Sequence, residues 1–565
     1  MDRNTESHFS VAPASLDMSR SKFDRSSSVK TSFNVGQLIP FYIDEVLPGD
    51  TFAVDTSKVV RLQTLLTPMM DNLYLDTYFF FVPNRLVWQH WKQFMGENTD
   101  SPWLPTVEYS IPQITAPAET GWSVGTIADY FGVPTGVPGL SVSALPFRAY
   151  ALICNEWFRD QNLVDPLNIP VTDSTVVGSN GGTAVTDVVL GGKPFVCAKY
   201  HDYFTSCLPG PQKGPDVLIP QGTGGMLPVM SMSQNVDYSS IEGASRMRMQ
   251  RVGSTINPSP TQADENTGTY FPNISNGSMT FNNRYSTDAY PLNLWAIGSG
   301  AQAGATINQL RLAFQIQKLY ERDARSGSRY IEVLKAHFGV TSPDARLQRP
   351  EYLGGNRVPI TVNQVIQQSS TTADSPLGDT AGQSLTTDVS SSFTHSFVEH
   401  GYVIGLMVAR YDHTYQQGLA RFWSRRNRFD FYWPVLANIG EQPVLNKEIY
   451  AQGPAAVNPE SSKPYDDEVF GYQEAWADYR YKPSIVTGEM RSSYAQSLDV
   501  WHLADDYNQL PRLSSSWIQE DAGTVDRVLA VTSAVSNQLF ADIYVKNICT
   551  RVMPLYSVPG LIDHH

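Results

Sequence analysis

Charge is scarce in this chain. Asp, Glu, Lys and Arg together make 17% of the 565 residues, against roughly 25% in typical soluble domains. So little charge suits a chain that hides part of its surface against partners or inside a large core. The 41 basic residues are outnumbered by 55 acidic ones, for a formal net charge of −14. This excludes a generic basic nucleic-acid-binding domain and leaves only a local basic patch. Cysteine is rare too. Cys154, Cys197, Cys207 and Cys549 are scattered, with no C-x-x-C, which excludes a zinc ribbon or a thioredoxin-like redox motif. Free buried thiols are expected, with a Cys197–Cys207 bridge as the alternative. Long apolar runs are missing. The stretch VIGLMVA at 403–409 is far too short to span a bilayer, so no membrane insertion is expected. The opening MDRNTESHFSVAPAS has acids and no apolar core, so no secretory signal is read there.

Catalytic signatures are absent as well: no H-E-x-x-H, G-x-S-x-G or Walker loop occurs. Two look-alikes fail on spacing. LNLWAIGSGAQA at 292–303 leads through Gly298, Gly300 and Ala303 into a helix, with Glu321 about 20 residues on. The dinucleotide fingerprint needs its acid at the end of a second strand, and none intervenes. His395 and His400 in HSFVEH stand one residue further apart than the inverzincin H-x-x-E-H allows. No cofactor, metal or catalytic residue is expected.

What is present is aromatic and turn-rich: 28 Tyr, 25 Phe, 40 Gly and 37 Pro. In LYLDTYFFFVP, 73–83, alternation puts Leu73, Leu75, Phe79 and Phe81 on one face of a strand. Tyr74, Tyr78, Phe80 and Val82 fall on the other. Both faces therefore need cover. TFAVDTSKVVRL at 51–62 alternates in the same way. RLVWQHWKQFMG at 85–96 reads as one helix ending at Gly96. Thr126 and Asp129 resemble a capping box, and Pro146 starts a helix over 147–161. The patterns at 307–322 and 328–338 are also helical, the first capped by Thr306. Few helix signals follow residue 340. Residues 393–411 read as one long strand. The fold class is mainly β, an antiparallel core with several α-helices in its connections.

Composition divides the chain further. Residues 1–32 are polar and Ser-rich, an arm that orders on a partner, followed by a single domain over 33–565. Residues 221–305, rich in Gly, Ser, Asn, Thr and Pro and without lysine, read as a surface-projecting insertion. Residues 367–392 read as a polar loop. One charged constellation stands out, RFWSRRNRFDFYW at 421–433. Arg421, Arg425, Arg426 and Arg428 interleave with aromatic rings, a pairing that suits the phosphates and bases of single-stranded nucleic acid. The simpler reading is a strand edge with core aromatics and arginines paired to acids.

IPFYIDEVLPGDTF (39–52), LYLDTYFFFVPNRLVWQHWKQFMGE (73–97), FRAYALICNEWFRDQNL (147–163), AKYHDYFTSCLPGPQKG (198–214), LAFQIQKLYERDARSGSRYIEVLKAHFGV (312–340) and FWSRRNRFDFYWP (422–434) together resemble the major capsid proteins of microviruses, in particular the gokushovirus branch. These segments span nearly the full chain in the family's order. The resemblance implies a single eight-stranded jelly roll with long insertions, and no enzyme activity. It implies pentamers and a sixty-copy T=1 icosahedral shell around circular single-stranded DNA, assembled in the bacterial host cytoplasm and residing in the virion. The partners it implies are a small basic DNA-binding phage protein, internal scaffolding and minor or pilot proteins, and a host surface receptor met by the insertion. Sixty chains of charge −14 oppose packaging of negative DNA. Either basic residues gather on the inner wall, with Arg421, Arg425, Arg426 and Arg428 as candidates, or a separate basic protein and cations mediate. A jelly-roll glycan-binding or attachment protein that forms no shell is the alternative. Sedimentation separates it from a shell-former.

Overall fold

A computed structural model describes residues 19–99, 107–217, 307–369, 371 and 376–556, with six short strands between 229 and 296. Met1–Lys213 and Tyr320–His565 make one compact unit, and Gly214–Leu319 make another. Taken by itself, the second contains short antiparallel pairs, such as Pro272–Ser275 with Ser278–Phe281.

The first unit is organised by two antiparallel sheets. Their strands are β1 (Ser21–Asp24), β2 (Ser27–Phe33), β3 (Ile39–Val46), β4 (Thr51–Leu62), β5 (Leu73–Pro83), β6 (Glu351–Pro359), β7 (Thr386–Ser396), β8 (Gly401–Tyr411) and β9 (Leu539–Arg551). One sheet runs β1/β2–β9–β4–β7, and the other runs β3–β8–β5–β6. From β2 onward the chain changes sheet at every step except β5 to β6. The first two strands both pair with the last, with Phe23 opposite Cys549 and Val29 opposite Ile543.

Alternation explains the packing. Phe52, Val54, Val60 and Leu62 of β4 meet Leu73, Leu75, Phe79 and Phe81 of β5 in one buried core. Rings interlock across this core, Phe79 with Phe393 at 5.3 Å between the sheets and Phe52 at 5.3 Å from Phe397 in the turn after β7. The opposite face of β5 is covered by the chain itself. Phe80 and Val82, with Ile404 and Leu406 of β8, pack against Trp88 and a helix at Leu145–Ile153 in a second core. Pro146 lies in that helix's first turn, as expected. A charge also enters the sandwich. Buried Lys58 Nζ donates to Asn356 Oδ1 at 2.6 Å and pairs with Asp388 at 3.0 Å. Burial pushes its ammonium below the usual lysine range, and Asp388 opposes that shift.

Several expectations need correction. Within 1–32, expected to be an arm that orders on a partner, residues 1–18 lie outside the described residues, and residues 21–24 and 27–32 are strands of the subunit's own sheet. Pairing along β9 satisfies their backbone without an apolar sequence. Residues 380–384 and 386–392, read as polar loop, are also strand. Their Ser and Thr side chains bond across, as Thr56 Oγ1 does with Ser390 Oγ at 3.1 Å. The run 393–411 is two strands, because the chain turns at 397–400. The helix at 85–96 breaks into Asn84–Val87 and Trp91–Phe94. Trp88 Nε1 donates to Asp173 at 2.6 Å, and His90 Nδ1 lies 2.8 Å from the same oxygen. That shared anchor pulls the intervening residues out of helical geometry.

Close strand approach also fixes a glycine. A Cβ on Gly355, in β6, would sit 2.0 Å from the Thr77 carbonyl oxygen of β5. Gly355→Ala should lower subunit stability by about 1–3 kcal/mol through forced separation of the strands. A urea melt of the unassembled subunit reads this directly.

Candidate functional site

After β8 the chain leaves the sheets and enters the Arg/aromatic constellation. The segment is not a strand edge. It forms 3-10 turns at Arg421–Ser424, Arg428–Asp430 and Pro434–Leu436. Asp430 shapes the middle turn by accepting backbone N–H bonds from Asn427 at 2.7 Å and Arg426 at 2.8 Å. Those bonds hold its carboxyl below the usual range. Trp476 Nε1 donates to Leu436 O at 2.8 Å and pins the far end.

The four arginines separate into two kinds. Arg421 Nη1 donates to Pro443 O at 2.8 Å and pairs with buried Glu448 at 3.4 Å. Arg425 pairs with Asp478 and lies 4.3 Å from the centroid of the Tyr479 ring. These two tie the segment to the body of the subunit. Arg426 and Arg428 are exposed and, among the described residues, form no salt bridge. Arg428 rests over Phe429, 4.8 Å from its centroid.

The rings do not turn inward. Phe422, Trp423, Phe429, Phe431, Tyr432 and Trp433 are all exposed, Trp423 by 69%. Val435 follows at 93%, with Ile439 also exposed. Local contacts hold this surface in shape. The Phe422 and Trp423 rings lie 4.6 Å apart, and Trp433 Nε1 donates to Arg428 O at 2.9 Å. The arrangement offers flat apolar faces and two exposed guanidinium groups that form no salt bridge among the described residues, which suits binding.

Two buried polar clusters went unread in the sequence. Asp76 lies within the apolar run of β5 and is almost fully buried. It accepts from Arg357 Nε at 2.7 Å, Arg410 Nη2 at 2.7 Å, Tyr200 OH at 2.8 Å and Tyr78 OH at 3.0 Å. Burial pushes its pKa up, but these donors outweigh burial and hold it below the usual range. His413 lies between Asp505, 3.0 Å from Nδ1, and Glu520, 3.1 Å from Nε2. Burial disfavours the imidazolium, yet the two carboxylates raise its pKa to about 9. The carboxyl of Asp505 is held far below the usual range against its own burial, by His413 and then Lys199.

The other candidates gain nothing. Gly298, Gly300, Ala303 and Thr306 lie outside the described residues. His395 is in β7, 3.9 Å from Glu351, and His400 packs on the Trp91 ring. Among the described residues no group of three or more His, Cys, Asp or Glu could hold a metal. All four cysteines are free and buried, without a Cys197–Cys207 bridge. A cavity of about 760 Å³ touches Lys199, Arg325, Arg329 and Arg410. Each of these is already paired with a carboxylate, Asp505, Glu441, Glu332 and Asp76 respectively.

Comparison with known proteins places this geometry in context. A family profile described as capsid protein (F protein) matches residues 13–561. Capsid protein VP1 of Spiroplasma virus 4 is 44% identical over 551 residues, covering 96% of this chain and 95% of the relative. Capsid protein VP1 of Chlamydia phage 1 is 42% identical over 591 residues, covering 98% of each. Capsid protein VP1 of Bdellovibrio phage phiMH2K is 42% identical over 568 residues, covering 99% of this chain and 98% of the relative.

Proposed function

The chain belongs to the microvirus capsid protein (F protein) family, and from that premise we propose that sixty copies of it form a T=1 icosahedral shell around circular single-stranded DNA. The observation that carries the capsid reading is identity above 40% along nearly the full length of three viral capsid proteins. We read the two sheets as one eight-stranded jelly roll. Supporting this, β2–β9–β4–β7 and β3–β8–β5–β6 are antiparallel, and the chain repeatedly alternates between them. The subunit's work is then done by complementary surfaces that close a symmetric container. Its partners are other copies of itself, the DNA, a small basic DNA-binding phage protein, and scaffolding and pilot proteins. We assign the insertion at 221–305, which composition singles out, the host attachment that the family resemblance implies for such an insertion.

The charge problem remains, since a chain of −14 repels DNA. We place Arg421, Arg425, Arg426 and Arg428 on the inner wall, where they neutralise phosphate. Arg421 and Arg425 also hold the segment in place, so the clean test changes only the two exposed residues. Particles with Arg426→Ala and Arg428→Ala should assemble but pack DNA severalfold less often. Density-gradient separation of empty and filled particles measures the ratio. Normal filling would remove the DNA role. Absence of particles from the unaltered chain, made with its virus's other proteins, would remove the shell itself.

A further inference from the structure

The exposed rings of 422–433 continue into Val435 and Ile439, and DNA contact accounts poorly for that extension. Bases stack on aromatic planes, but an isolated valine and isoleucine offer them nothing. From this surface we propose that the face formed by Phe422, Trp423, Phe429, Phe431, Trp433 and Val435 is a contact between two copies of the chain. The proposal rests on the shell-forming role and names the surface that carries it.

Two observations point to a second copy as the occupant. The first is area. An aromatic side chain presents about 150–250 Å², and five of them here are half exposed or more, with Tyr432 close behind at 46%. With Val435 and Ile439 they leave on the order of 800 Å², about one partner's share of a standard stable interface. A lone soluble subunit rarely leaves so large an apolar patch open. The second is composition. Aromatic residues and arginine are the types enriched at interface cores, and this stretch combines both.

The buried cysteines make the test clean. Cys154, Cys197, Cys207 and Cys549 are all enclosed, so a thiol placed at Val435 is the reactive one on an intact subunit. Val435 is 93% exposed, so Val435→Cys should fold normally. Maleimide should label the thiol in dissociated subunits and label it at least tenfold more slowly in assembled particles, both empty and DNA-filled. Equal labelling of subunits and particles would overturn the proposal. Protection only in filled particles would overturn it in favour of DNA. In parallel, Phe429→Asp with Val435→Asp should give subunits with an unchanged melting temperature but at least tenfold fewer particles. Normal particle yield from that variant also overturns the contact. If the unaltered chain makes no particles, the shell reading fails instead, and the labelling ratio cannot arise.

Discussion

Asp76→Ala is expected to destabilise the subunit by about 3–5 kcal/mol, the usual cost of removing one partner from a buried ion pair. The reason lies in what surrounds the carboxylate. Arg410 is mostly buried and directs Nη2 at Asp76 from β8, while Arg357 reaches it from β6. Both guanidinium groups lie 4.3 Å from the Tyr200 ring centroid, and Tyr200 OH donates to the same carboxylate. Without Asp76, two cations face each other across a tyrosine. Arg410 then has little beyond the Tyr78 hydroxyl and the Ala198 carbonyl. Asp76→Asn keeps an acceptor and should lose less. Asp76→Ala combined with Arg410→Met should recover part of the loss, because no unpaired charge then stays buried. Urea unfolding of the unassembled subunits measures all three. A loss below about 1 kcal/mol for Asp76→Ala would contradict this account, since that is the range of exposed pairs.

The same residue marks where sequence reading stops. The alternation in 73–83 gave both faces of β5 correctly, because a period of two is a local property. It could not show that Asp76 would be neutralised by residues some 280 and 330 positions away. Short helices followed the same rule. Thr126 caps Ile127–Tyr130 as its spacing implies, with its side chain accepting from Asp129 N, since cap and helix are neighbours in sequence. The break at Trp88–His90 depends on Asp173, which no local pattern reveals. The strands at 21–24 and 27–33 and the strand residues 386–392 were hidden for a related reason. Their Ser- and Thr-rich sequences lack an apolar stripe, and their stability comes from partners such as β9, more than 500 residues distant for β2.

The candidate surface was visible in outline and misread in detail. Interleaved arginines and rings at 421–433 can be seen in the sequence, but not which arginines are struts. Nor does the sequence give the direction of the rings. A strand edge would have buried half of them, whereas consecutive 3-10 turns leave them outward. Low charge suggested apolar area sealed against partners, and the second face of β5 needed a cover that the helices in the connections or a neighbouring copy could supply. The chain covers β5 with its own helix, and the surplus lies at 422–439 instead.

The second large effect concerns pH. His413 is enclosed by Asp505 and Glu520, with Lys199 Nζ 3.6 Å from Asp505 and Tyr507 OH donating to Asp505 at 2.7 Å. The Tyr411 ring lies 4.4 Å away. The folded state raises the histidine from an unfolded value near 6.5 to about 9. A raised pKa gives stability that is complete below the unfolded value and lost as pH climbs through the folded one. A shift of that size corresponds to roughly 3 kcal/mol, present at pH 6 and gone by about pH 10. Asp505 has the opposite sign, since a depressed carboxyl stabilises above about pH 4 and loses that contribution as acid protonates it. The two effects share one contact and do not add in full. His413→Ala should therefore cost about 3–5 kcal/mol at pH 6, because two buried carboxylates are left with Lys199 as their nearby cation. His413→Gln keeps donors for one carboxylate and should lose less. The diagnostic is the difference between unaltered and Gln subunits, which cancels ordinary lysine and tyrosine titration. It should shrink steadily from pH 7 to pH 10. A difference that stays constant across that range would mean His413 is neutral in the folded subunit, held by hydrogen bonds and not by charge.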